Sequence, residues 1–249
     1  MTEAFVAANP FAERDFSAGQ VFNRSFQVFS RNLLPFSLVT LIASLPNLLI
    51  LWPRAAPIDP VATAVRLLVG VGLIMVLNAL TQSVVLYAAF DDMRGRPVNM
   101  AESIRVGLGR FFPALILAIS VMLLMGLSAI ALLVPALIVM TILSVAMPAC
   151  IVERLGPIKS MRRSAGLTKG HRWKIFGLWI ATLIFGGIAQ SILGNVARGL
   201  GGQGAALTVL VAWGAVYGAF SAVLAVVIYH DLRVAKEGVS TDQIAAVFD

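Results

Sequence analysis

Charge is scarce in this sequence. Only 12% of its 249 residues are Asp, Glu, Lys or Arg, about half the share found in soluble domains. With 59% hydrophobic residues and a mean hydropathy of +0.90, the composition argues against a water-soluble globule and for a membrane protein. Cysteine is nearly absent. Cys150 stands alone in an apolar run, so no intrachain disulfide can form, and it reads as a small core residue. There are two histidines, His171 and His230, and no HExxH, CxxC, GxSxG or GxxxxGK[ST] pattern. A convergent catalytic set is therefore missing, and the expectation is a protein without enzymatic activity, cofactor or metal. The one group that could make a metal site is Asp91, Asp92, Glu153, His230 and Asp231, if their segments converge. The glycine-rich GLGGQG from Gly199 follows no strand and reads as a flexible turn, not a phosphate cradle. The first thirty residues are interrupted by Glu3, Glu13, Arg14, Asp15 and Arg24, so no signal peptide is expected.

Long uncharged runs are what the chain does have. A helix crossing the hydrocarbon core needs about 20 apolar residues. Leu33 to Trp52 supplies one span, and about Leu68 to Phe90 a second. Phe111 to Val152 has room for two, with Gly126, Ser128 and Pro135 available for the turn. Trp173 to Ala197 and Leu207 to Tyr229 complete an all-α bundle of six spans. Sixteen of the nineteen cations fall on one side of this topology; Arg54, Arg66 and Arg198 fall on the other. Cations in short loops mark the cytoplasmic side, so both termini are expected there. The preference for Arg over Lys points to a GC-rich bacterial genome, and the membrane expected is the bacterial inner membrane.

A threefold pattern recurs. Before the first span, Val21, Phe22, Phe26 and Phe29 make an apolar stripe. Before the third, Ala101, Ile104 and Leu108 do so; before the fifth, Ile158, Met161 and Ala165. These read as amphipathic helices in the cytoplasmic interface, with Gly170 ending the last. The even-numbered spans end in FDDMRG, IVERLG and YHDLRV, which suggests ion pairs Asp92 with Arg94, Glu153 with Arg154, and Asp231 with Arg233. The organisation expected is a cytoplasmic tail over 1–16, a membrane domain over 17–233 with repeats at about 17–94, 97–154 and 157–233, and a second tail over 234–249.

Within the spans the polar content is amides and hydroxyls. Asn78, Gln82, Gln190 and Asn195 either hydrogen-bond between helices or line a pathway for a small or lipid-like solute. Gly214, Gly218 and Ala222 suggest a close-packing face. The segment from Val152 to Lys174 carries seven cations: Arg154, Lys159, Arg162, Arg163, Lys169, Arg172 and Lys174. In a membrane protein this concentration points to anionic lipid, not nucleic acid. The leading expectation is a protein that organises or senses its surroundings through this face, contacting anionic membrane lipid, another membrane protein or a second copy of itself.

The stretch PACIVERLGPIKSMRRSAGLTKGHRWKIFGL from Pro148, with IYHDLRVAKEG from Ile228 and the closing AAVFD, resembles the membrane domain attached to some bacterial glycerophosphoryl diester phosphodiesterases and related six-span proteins. The resemblance covers mainly the C-terminal half. Enzymes of that family carry their acidic and histidine residues in a separate soluble domain, for which this sequence has no room, so the resemblance implies a membrane architecture without the phosphodiesterase activity.

Overall fold

The computed structural model describes residues 16–51, 59–131 and 133–237. The tails expected over 1–16 and 234–249 lie almost wholly outside these residues, as do Trp52, Arg54 and AAVFD. In chain order the described elements are α1 Ala18–Arg31, α2 Leu33–Leu51, α3 Pro60–Met93, α4 Met100–Gly109, α5 Phe111–Ala131, α6 Leu133–Leu143, α7 Ala146–Val152, α8 Pro157–Thr168 and α9 Arg172–Glu237. All are α-helices, as apolar runs in hydrocarbon require, because a helix satisfies its own N–H and C=O groups. Four stretches are long and apolar enough to cross a membrane: Val61–Met93, Phe111–Ile130, Val134–Val152 and Arg172–Glu237. α1 and α2 make a fifth if their 81° bend is taken as one broken span. These helices mark a membrane protein.

Three local features depart from the expected spans. α3 begins at Pro60, well before Leu68: Asp59 caps it by accepting from the Val61 N–H at 3.0 Å, and Pro60 suits the first turn. Arg66 is therefore inside a helix. The run ending at Val152 is broken at Ser144 and Val145. Pro148 causes this, since it has no N–H and its ring crowds the carbonyl four residues back. The Ile142 carbonyl near the break accepts instead from the Ser164 hydroxyl of α8, at 2.6 Å. Finally, α9 is a hairpin. Gly202 takes φ +72 and ψ −162, a conformation that favours glycine. On either side of it Gly186 meets Tyr217, Gly194 meets Leu210, and Trp213 Nε1 donates to the Gly186 carbonyl at 3.2 Å. Only antiparallel arms, residues 172–201 and 203–237, make such contacts. GLGGQG is thus the turn between the two arms, made as a sharp reversal at Gly202 with helix on either side.

The core sits at one end of the bundle. The second arm of α9 runs through it, with Ala222 to Tyr229 buried throughout. Around it pack Val85, Leu86 and Ala89 of α3, Ala149 and Ile151 of α7, Val28 and Phe29 of α1 and Leu167 of α8. Helices α1, α4 and α8 lie at this packed end, and each turns into the next helix by the same corner. The N–H groups of Asn32, Arg110 and His171 donate to the carbonyls of Phe29, Gly107 and Thr168 at 3.1–3.2 Å. Four residues further on, Phe36, Ala114 and Ile175 donate back to those corner residues and are fully buried.

The faces that these three helices turn to the bundle overlap the apolar stripes in α1 alone, through Val21 and Phe29. Each centres on a serine placed seven residues before its corner: Ser25, Ser103 and Ser164, all buried. Ser25 is flanked by Val21, Val28 and Phe29, Ser103 by Gly107, and Ser164 by Ser160, Leu167 and Thr168. Phe22, Phe26, Ile104, Leu108 and Ile158 are turned outward. The physical reason is close approach. Small residues let these helices press against the bundle, and a Cβ on Gly107 would overlap the Val84 side chain. The large apolar side chains, rotated by about 100° per residue from the serine, are left to face the bilayer.

Candidate functional site

The acidic residues that end α3, α7 and α9 meet cations at the packed end, but not the cations beside them in sequence. Asp92 accepts from Arg31 of α1 at 2.8 Å, and Asp231 from Arg24 of α1 at 3.1 Å. Glu153 accepts from Arg163 of α8 through Nε at 2.8 Å and Nη2 at 2.8 Å. No pair joins Asp92 to Arg94, Glu153 to Arg154 or Asp231 to Arg233 among the described residues. Side chains one or two positions apart on a helix diverge and cannot face each other. Arg94 lies over the Phe90 ring instead, and Arg154 occupies the left-handed region at φ 53. Arg233 bonds Glu237 one turn on, at 3.0 Å.

Arg24 and Arg163 occupy the same register, immediately before the buried serine. The third such position is Glu102, which accepts from Tyr87 of α3 at 3.4 Å. All three helices therefore use that position to reach another element.

The densest network joins α7, α8 and α9. Besides its two bonds from Arg163, Glu153 accepts from the buried Tyr229 hydroxyl at 2.6 Å. Arg163 also reaches Glu237 at 2.5 Å. Burial alone would lower the Arg163 pKa, but hydrogen bonds to the two carboxylates raise it above the usual arginine value. Arg163 is thus held by protein partners.

The other basic residues of this segment differ. Arg154, Lys159, Arg162, Lys169 and Arg172 are exposed and form no ion pair with the described residues. Lys174 is exposed too, and its Nζ donates to the Phe16 carbonyl at 2.9 Å. Beside these cations stand two exposed apolar side chains, Ile158 and Trp173, the latter 85% exposed. A cationic surface bordered by apolar side chains fits a membrane interface.

The four intramembrane amides do not share one lining. Asn78 and Gln82 border a cleft of about 30 Å³ with Thr40, Ser44, Thr81 and the Gly214–Gly218 face. That volume admits about two waters. Gln190 and Asn195, on the first arm of α9, are exposed on the outside of the bundle. Gly214 and Gly218 are not a close-packing face either: a Cβ on either would meet nothing within 4 Å. Nor do Asp92, Glu153 and Asp231 gather, since each is engaged by a different arginine. Among the described residues no three His, Cys, Asp or Glu side chains come within reach of one metal ion. No protein-family model matches this chain, and no curated protein or solved structure is significantly similar to it.

Proposed function

We propose that this is a non-enzymatic six-span protein of a bacterial inner membrane, with both termini cytoplasmic, that organises or senses the membrane through anionic lipid held on the basic face of α8. The observation that carries this reading is the division of labour among the cations. Arg24, Arg31 and Arg163 are committed to protein carboxylates, whereas Arg154, Lys159, Arg162, Lys169 and Arg172 stand exposed around one helix. Each cation near an anionic surface contributes about 1 kcal/mol before screening, so the exposed set is sufficient for firm lipid contact.

Six crossings result when the α9 hairpin is read as two spans and the bent α1–α2 pair as one. The three like corners support a threefold repeat over about 17–94, 97–154 and 157–233. The resemblance to phosphodiesterase membrane domains agrees with this architecture and adds no activity. A second reading, passage of a small solute, is favoured by the polar cleft at Asn78 and Gln82. It is the weaker one, because Gln190 and Asn195 do not continue that cleft.

The test replaces Lys159, Arg162 and Lys169 by Gln and leaves Arg163 intact. Native mass spectrometry in phosphatidylglycerol-containing micelles should show retained anionic lipid falling by about tenfold or more, with thermal unfolding unchanged. Equal retention in both proteins would refute the proposal. Docking to a protein partner, or self-association, would then be the use left for this face.

A further inference from the structure

A second lipid contact is built into the other side of the molecule. Beneath α1, between the two arms of α9, lies a groove of about 470 Å³, within the size range of ligand pockets. Its surface is almost entirely apolar, formed by Phe22 and Phe26 from α1, Phe185 from the first arm, and Trp213, Tyr217 and Phe220 from the second. The rings brace one another: Phe22 meets Phe220 edge-on with centroids 5.8 Å apart, and Phe185 meets Trp213 at 6.4 Å. The hairpin is shaped for this, because a Cβ on Gly186 would overlap the Tyr217 ring. The polar atoms of the walls are largely spent inward. Thr182 donates to the Leu178 carbonyl at 2.8 Å and Trp213 to that of Gly186.

We propose that this groove holds one acyl chain of a membrane phospholipid as a bound ligand. Two observations select that occupant. The lining offers dispersion and aromatic contact but little hydrogen bonding, which suits a hydrocarbon chain at about 0.8 kcal/mol per buried methylene. α1, bent 81° from α2, lies across the packed end of the groove. A transmembrane helix from another copy would run into it, whereas an acyl chain begins at that depth. The site is separate from the α8 cations and does not require that they bind lipid.

The experiment uses the full chain in vesicles with a zwitterionic phosphatidylethanolamine carrying a diazirine in its acyl chain. With this headgroup, failure of the anionic-lipid reading would leave the result unaffected. After photolysis, labelled peptides should concentrate in residues 181–185 and 213–220 and be competed by unlabelled lipid. Ala181→Phe, which fills the groove, should reduce this labelling by about tenfold or more. Phe26→Ala, which removes an exposed wall without touching the core, should reduce it too and guards against a folding artefact. Labelling spread evenly over the exposed apolar faces of α3 and α5, or unchanged by both substitutions, would overturn the proposal. So would disulfide cross-linking between copies of an Ala181→Cys variant, which would put a second copy on this face.

Discussion

The two ends of this bundle are held by different forces. At the packed end, α1, α4 and α8 press serine and glycine against the spans, Tyr229 is fully buried, and Asp92, Glu153 and Asp231 each have an arginine partner from another helix. At the far end, Leu68, Ile130 and Leu200 are 77%, 85% and 86% exposed. The contrast teaches where cohesion comes from in a membrane protein. Lipid tails are as apolar as leucine, so packing apolar side chains on each other yields little net gain there. Charges and backbone ends at an interface do demand partners, and here they draw the helices together.

The strongest way to break this asymmetry is at Glu153. Replacing it by Ala leaves Arg163 with Glu237 alone and the buried Tyr229 hydroxyl without its acceptor, and should cost about 3 kcal/mol, the upper end of the range for a buried polar group left unpaired. Denaturant unfolding in micelles measures it; a loss below about 1 kcal/mol would reduce the network to a surface ornament. Gly107→Leu should cost somewhat less, about 1–3 kcal/mol, by forcing α4 away from Val84, and a shift of its melting temperature would report it. The smallest effect belongs to the far end. Leu200→Ala should change stability by no more than about 0.5 kcal/mol. A large loss there would show that the far end is covered by another protein and is not simply bathed in lipid.

What was legible in the sequence was local. The run from Leu33 to Trp52 became α2, Leu33–Leu51, because hydropathy and span length are properties of contiguous residues. α8 stops at Thr168 two residues before Gly170, whose φ of +93 breaks the helix as its type suggested. The apolar stripes of α1, α4 and α8 read as the membrane-facing sides of interfacial helices, and Phe26 and Leu108 do point outward. In an aqueous setting the largest apolar residues point to the core, whereas at a bilayer Phe26 and Leu108 have a second apolar phase to enter. The recurring serines at 25, 103 and 164 were the signal for the true inner face. Arg24 and Asp231 are 207 positions apart, and no pattern in one sequence joins them. The neighbouring acid–arginine pairs, by contrast, could have been rejected on helical geometry alone.

α1 is pinned at two points to two different helices: Arg24 to Asp231 on α9, and Arg31 to Asp92 on α3. Seven residues separate the pins, about 10 Å along the axis. A helix fastened in this way acts as a strut. Tilting α3 or α9 to match a thinner or thicker bilayer, the usual response to hydrophobic mismatch, would pull on both fastenings at once, so α3 and α9 must lean together or lose an ion pair.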